Sequence, residues 1–269
     1  TDSTEMVEGN MGLTNALCDA IDKAVAAGHR PRLIHASSIQ VTRDNDYGRS
    51  KLAAEQRVRD CILAHELDGH IFRLPNVFGK WCRQNYNSVV ATFCHNIAHD
   101  LPVRIDDPNA RVNLVYIDDV VETFLAVLED EAPARDEAGF ALVAPVYQAS
   151  LQQLADLIRA FRESRRNHVV EHVGTGLTRA LYSTYLSYLE PENFAYGITC
   201  QGDQRGIFAE MLRTKDSGQI SFFTAGPGVT RGGHYHHTKA EKFLVIKGRA
   251  RFKFRHMDSG KYHELVTDD

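Results

Sequence analysis

Residues 33–51 read Leu-Ile-His-Ala-Ser-Ser-Ile-Gln-Val-Thr-Arg-Asp-Asn-Asp-Tyr-Gly-Arg-Ser-Lys. The opening Leu33-Ile34-His35-Ala36 is a short apolar run ending in Ser37 and Ser38, the pattern of a buried strand. A helix follows from near Tyr47 through Leu52, Val58, Ile62 and Leu63. Ile71-Phe72-Arg73-Leu74 then reads as a second strand, broken by Pro75, which has no backbone donor. Upstream, Met11, Leu13, Leu17, Ile21 and Val25 recur at helical spacing, with Gly28 as a stop. Helix, strand, helix, strand with short joins is the alternation of a parallel α/β sheet.

The pattern continues with a helix over Val89 to Ala98 and a strand over Val112 to Ile117. Asp118 or Asp119 is expected to cap a helix running Val120–Leu128. Ser150-Leu151-Gln152-Gln153 is a capping-box signature, and Leu151, Leu154, Leu157, Ile158 and Phe161 give that helix an apolar face. The tyrosine-rich segment Leu177 to Leu189 is expected to pack between domains. Beyond Pro191, short β-rich runs around Ile198, 219–223, 242–246 and 250–254 alternate with Gly and Pro turns, as in a sandwich or barrel. The expected organisation is therefore α/β followed by all-β, with domains over 1–165 and 193–269 and a connecting segment over 166–192.

Length and composition bound the function classes. The 269 residues suffice for two domains, and 43% hydrophobic with 25% charged residues is ordinary for a soluble globular protein. A net charge of −4 without a basic block argues against nucleic acid as a partner. No apolar run approaches the about 20 residues of a membrane span. The opening residues read as the entry to an amphipathic helix rather than a targeting sequence. The five cysteines are scattered with no C-x-x-C pair, which fits unpaired thiols in a reducing cytoplasm.

Two constellations carry chemistry. Tyr47 and Lys51 stand one helical turn apart on one face. An ammonium beside a phenol favours the phenolate, the form a proton relay needs, and Ser38 at the preceding strand end could hold a substrate oxygen. Y-x-x-x-K alone is a weak signal, since a solvated helix face supplies it often. The second is Gly228, His234, His236, Glu241 and Gly248, spaced as G(X)5HXH(X)4E(X)6G. His234 and His236 would alternate along a strand and project to one face, and Glu241 would return from the next strand. Two imidazoles and a carboxylate suit a first-row divalent metal.

Ser37-Ser38, Tyr47-x-x-x-Lys51, Arg73-Leu74-Pro75-Asn76-Val77-Phe78-Gly79 and Val115-Tyr116-Ile117-Asp118-Asp119-Val120 occur in the order found in extended short-chain dehydrogenase/reductases acting on nucleotide sugars, and residues 5–160 resemble that family. The resemblance implies a Rossmann-type domain binding NADP(H) or NAD(H). In it Tyr47 is the general acid/base, and Lys51 tunes Tyr47 and contacts the nicotinamide ribose. Ser38 orients the substrate, Pro75 and Val77 line the cofactor, and Asn76, with Arg111, lies by the diphosphate. The family's Gly-rich turn is absent, so about two βα units, roughly 50–80 residues, are expected upstream; Gly174-Thr175-Gly176 lacks the third glycine and does not replace it.

The second spacing is that of the first cupin motif, which implies a β-barrel holding zinc at His234, His236 and Glu241. A further histidine is expected beyond Asp269, because His256 and His263 stand too early. Arg231-Gly232-Gly233-His234-Tyr235 and Asp203–Glu210 also resemble the deoxysugar 3,5-epimerases. There the matching histidine, His234, is a base, and Arg231 binds the diphosphate. The pairing of the two halves, together with 181–189 and 234–243, resembles the CapF-like bifunctional capsular-polysaccharide enzymes. That resemblance implies a homodimer that epimerises C3 of a UDP-4-keto-6-deoxy-N-acetylhexosamine and then reduces its C4 ketone. The alternatives are an NAD-dependent nucleotide-sugar 4-epimerase or dehydratase, and an inactive fragment whose cupin is a binding or dimerisation platform.

Overall fold

The computed structural model describes residues 3–268, with the backbone alone described for residues 3–8 and 10. The order is α1 (Ser3–Ala26), β1 (Leu33–Ser38), a 3-10 turn (Ile39–Thr42), α2 (Asp46–His65), β2 (Gly69–Leu74), β3 (Asn76–Phe78), α3 (Val89–Ala98), β4 (Arg111–Tyr116), α4 (Ile117–Leu128), β5 (Tyr147–Ser150), α5 (Leu151–Asn167), β6 (Val169–Val170) and α6 (Gly176–Leu186). After these come β7 (Cys200–Asp203), β8 (Gly206–Thr214), β9 (Gln219–Phe223), β10 (Arg249–Arg255) and β11 (Tyr262–Asp268).

The expected α/β alternation is present. β1 and β2 pair in parallel with Ser38 opposite Leu74, and β3 pairs in parallel with β4. Pro75 interrupts the ladder between β2 and β3, and the chain passes there from one partner strand to the next. β5 closes antiparallel on β4. Three apolar clusters fill this part. Phe78, Val90, Leu114, Leu154, Ile158, Phe161, Leu181 and Tyr185 form the largest. Cys18, Ile21, Leu33, Val58, Cys61 and Ile71 seal α1 and α2 onto β1 and β2. Val120 and Val127 of α4 pack on Phe72, Leu74 and Val115 in the third.

Local chemistry sets the boundaries. Ser150 caps α5, with its Oγ accepting from Gln153 N at 3.1 Å while Ser150 N donates to Gln153 Oε1 at 2.8 Å. Asn45 caps α2 by accepting from Gly48 N at 2.8 Å. A Cβ at Gly48 would overlap the Arg43 carbonyl oxygen and lie 2.8 Å from that of Gln40, so only glycine lets the helix start against the 3-10 turn.

One expectation needs correction. α4 begins at Ile117 with Tyr116 at the cap position and no side-chain cap bond. Asp118 and Asp119 therefore lie in the first turn, where carboxylates oppose the helix dipole favourably without capping. Within the segment 177–189, α6 packs on α3 and α5, and Leu181 and Tyr185 are buried in the largest cluster.

The chain divides into two compact units, one extending through Gly202 and including Ile207–Phe223, the other made of Asp203–Gly206 and the residues from Thr224 onward. In the first, β8 pairs with β6 in parallel and with β9 antiparallel. In the second, β10 and β11 form an antiparallel ladder from Arg249–Asp268 to Arg255–Tyr262. Among the described residues, 242–246 form no strand.

Candidate active site

The parallel ends of β1 and β2 set the first group. In such sheets ligands lie beyond the carboxyl ends of the strands, and Ser38 and Leu74 end this pair side by side. From there the chain runs one way into the 3-10 turn and α2, the other way into Pro75, Asn76 and Val77.

The two serines are distinguished by their partners. Ser37 is buried and its Oγ donates to Glu55 Oε2 at 2.7 Å. Ser38 is half-buried, and its Oγ accepts from Gln40 N at 3.1 Å, which leaves its own proton for another acceptor. Tyr47 and Lys51 are half-buried in the first turns of α2, one turn apart. Glu55 lies one turn further and takes two bonds from Arg73, Nε at 3.0 Å and Nη2 at 2.6 Å. Burial pushes the Glu55 carboxyl upward, but the bonds from Arg73 and Ser37 outweigh it and hold the group below the usual carboxylate value. Burial first, and the Lys51 ammonium second, push the His35 ring below the usual imidazole value against the opposing effect of Glu55, and its Nε2 is buried without a partner.

Asn76 and Arg111 are placed on a polar strip over β3, β4 and β5. Asn76 Nδ2 donates to Asn113 O at 3.1 Å, and Arg111 Nη1 donates to Gln148 Oε1 at 2.6 Å. Gln148 Nε2 in turn donates to Asn113 Oδ1 at 3.3 Å. Asn113 and Gln148 were not singled out in the sequence. Their signal is the period-two alternation of Arg111 and Asn113 along β4, which puts both on one face.

In the second unit His234, His236 and Glu241 each offer a ligand atom, all within 4.8 Å of one another. His236 Nε2 is 3.7 Å from Glu241 Oε1, and the two imidazole centroids are 4.9 Å apart. The donor set converges as the spacing predicts and fits a divalent cation. Its framework differs from the expectation, however. The chain bends at His237 and Thr238, residues 229–248 form no strand, and all three donors are exposed rather than facing a barrel interior. A strand needs a ladder partner, and this stretch has none among the described residues. Lys239, not foreseen, places Nζ 2.9 Å from Glu241 Oε1. That bond is the chief reason the Glu241 carboxyl is held below its ordinary value; the two histidines contribute less. Arg231 Nη1 donates to Thr224 O at 2.8 Å, three residues before the first histidine.

Comparison with known proteins matches these parts separately. Residues 1–140 match the NAD dependent epimerase/dehydratase family, and residues 201–269 match the polysaccharide biosynthesis C-terminal domain. A UDP-2-acetamido-2,6-beta-L-arabino-hexul-4-ose reductase from Pseudomonas aeruginosa is 53% identical over 262 residues, covering 97% of this chain and 68% of the relative. The capsular polysaccharide assembling protein CapF from Staphylococcus aureus superposes with a TM-score of 0.82 at 39% identity, over 89% of this chain and 66% of CapF. The chain thus spans about two thirds of the length of these relatives. A Thermotoga maritima UDP-glucose 4-epimerase shares the fold, with a TM-score of 0.52 at 15% identity over 70% of this chain and 71% of its own. With the reductase-type strand ends and the polysaccharide-biosynthesis segment in one polypeptide, the chain belongs to the NAD dependent epimerase/dehydratase family, in its CapF-like branch.

Proposed function

We propose that the chain modifies a nucleotide sugar for surface-polysaccharide synthesis, as an NAD(P)H-dependent reductase of a UDP-linked 4-keto-6-deoxy-N-acetylhexosamine. The observation that carries this reading is 53% identity to a reductase whose named substrate is a UDP-linked 2-acetamido-hexul-4-ose, over 97% of this chain. The division of labour follows a reductase domain over 1–165, a connecting segment over 166–192 and a cupin domain over 193–269.

A nicotinamide, when bound, supplies the hydride to C4. Pro75 and Val77 would line its site at the β2–β3 break. Ser38 would donate to the ketone oxygen, a role its unspent proton supports. Tyr47 would pass its phenolic proton to the C4 oxygen as negative charge builds there, and Lys51 would favour the phenolate left behind. Asn76 and Arg111 would hold the diphosphate through the polar strip of β3–β5.

The 4-ketone also acidifies the C3 proton, so the cupin half would epimerise C3 before reduction. Two versions remain within this proposal. A zinc ion at His234, His236 and Glu241 would act as a Lewis acid towards the enolate oxygen. Alternatively, His234 would abstract the C3 proton and Arg231 would bind the diphosphate. The convergence of the three donors supports the first version.

A cytoplasmic homodimer completes the reading. Among the described residues no helix is long and apolar enough to cross a membrane. Exposed Leu13 and Leu17 on α1 and Leu52 and Leu63 on α2 support self-association through those helices.

The test is cofactor stoichiometry with the UDP-4-keto sugar. A net reductase oxidises one NAD(P)H per sugar, whereas a 4-epimerase or dehydratase regenerates its cofactor and shows no net oxidation. Wash-in of deuterium at C3 without NAD(P)H reports the cupin step. Its absence in folded protein would leave the cupin as a binding platform.

A further inference from the structure

A second group of metal-competent side chains lies between α1 and α2, outside both sites above. Cys18 and Asp22 are four residues apart on α1, and Cys61 and His65 are four apart on α2. Each pair therefore occupies one face of its helix, and the two helices pack together. Cys61 Sγ, a His65 ring nitrogen and an Asp22 carboxylate oxygen lie within 4.8 Å of one another. Cys18 stands outside that trio, its Sγ donating to Arg57 O at 3.9 Å, and it shares one buried apolar cluster with Cys61.

An ordinary ion pair explains only half of this group. His65 Nε2 and Asp22 Oδ1 are 2.6 Å apart on the rim, a contact many surfaces show. It does not account for the Cys61 thiol, 1% exposed and within 4.8 Å of both partners, or for a second free thiol, Cys18, in the same buried cluster. Two sulfurs, an imidazole and a carboxylate make a donor set for zinc. Tetrahedral zinc with bonds of about 2.0–2.3 Å holds its ligand atoms roughly 3.3–3.8 Å apart, so movements on the order of 1 Å would suit Asp22, Cys61 and His65, and rotation of Cys18 away from Arg57 O would add the fourth ligand. Side-chain torsions on two rigid helices can supply that.

We propose that Cys18, Asp22, Cys61 and His65 form a closed four-ligand zinc site that pins α1 to the helix carrying Tyr47 and Lys51. Binding forms four metal–ligand bonds and releases the two thiol protons to solvent, so affinity rises with pH. Burial first, and the neighbouring Cys18 second, push the Cys61 thiol up to about 11. The cation opposes that effect by pairing with the thiolate.

Cobalt(II) added to the metal-stripped full chain separates this site from the histidine cluster of the second unit, which contains no sulfur. Thiolate ligation gives an intense near-ultraviolet sulfur-to-cobalt band, and zinc should displace it. The band should be lost in Cys61→Ser and Cys18→Ser, and kept in Cys200→Ser and in the double variant His234→Ala/His236→Ala. His65→Ala removes a ligand from the rim without opening the core, so it tests the site even if the cysteine variants fold poorly. It should weaken cobalt binding by at least ~10-fold, the lower end of what losing even a supporting contact costs. Absence of the band in the unaltered chain, its loss in Cys200→Ser, its survival in a folded Cys61→Ser, or unchanged binding in His65→Ala would each overturn the site.

Discussion

Ser37 Oγ donates to Glu55 Oε2 at 2.7 Å and thereby ties the end of β1 to the third turn of α2. The same carboxylate receives two bonds from Arg73 on β2, so one side chain fixes two strands and the helix in register. Ser38 follows Ser37, and Lys51 precedes Glu55 by one turn. The spacing between the hydroxyl and the phenol–ammonium pair thus depends on a group that need not touch substrate.

Glu55→Ala should therefore destabilise the fold. Removing one partner of a buried pair costs about 3–5 kcal/mol. Glu55 is 3% exposed, but the Arg73 side chain keeps 27% of its surface in water. The expected loss is therefore near the lower limit, about 3 kcal/mol, read as a lower urea midpoint with an unchanged slope.

Glu55 also predisposes the fold to acid. Its carboxyl is held below the ordinary value, by Arg73 and Ser37 against the opposing effect of burial. Its contribution is therefore complete above the unfolded-state value of about 4.3 and is lost as pH falls through the lower folded-state value. Glu55→Gln should flatten that part of the stability profile, measured by denaturant titration between about pH 5 and 2.

Tyr47→Phe should lower kcat for ketone reduction by about 10²–10⁴-fold while leaving the urea midpoint close to that of the parent. The ring is half-buried and keeps its packing when the hydroxyl is removed. A variant retaining most of its reductase rate would remove Tyr47 from the proton relay.

Lys239 competes for the carboxylate that a metal would need. Its Nζ lies 2.9 Å from Glu241 Oε1 at the protein surface. An exposed pair of this kind is worth about 0.2–1 kcal/mol, so Lys239→Ala should tighten divalent-metal binding by about 1.5–5-fold. Calorimetric titration of zinc into both proteins reads the difference.

The sequence carried more of the first unit than of the second, for physical reasons. Period and capping chemistry are local, so the α3 helix and the Ser150–Gln153 box were legible from side chains alone. The His234, His236 and Glu241 cluster was legible as a set of donors because its spacing is covalent. Its exposed, unladdered backbone was not, because strand formation depends on partners remote in sequence. Glu55 escaped notice for the same reason. A charged residue in an amphipathic helix reads as solvated until Ser37 and Arg73, 18 residues away on either side, are folded onto it.

Gly48 supplies the most stringent link between backbone and chemistry. It sits between Tyr47 and Lys51, and a Cβ there would overlap the Arg43 carbonyl oxygen. Backbone cannot swing aside as a flexible side chain can, so Gly48→Ala must push the start of α2 off the 3-10 turn. Overpacking of this kind costs about 1–3 kcal/mol. The displacement falls on the Asn45–Gly48 cap and on the neighbouring Tyr47, whereas the polar strip carrying Asn76 and Arg111 lies on other strands. The reduction kcat should consequently fall by more than 10-fold with KM for the UDP sugar changed by only about 2-fold, given that misplacement of order 1 Å costs about 10² in rate. Equal losses in kcat and 1/KM would instead place the tyrosine and the diphosphate strip on one mechanical unit.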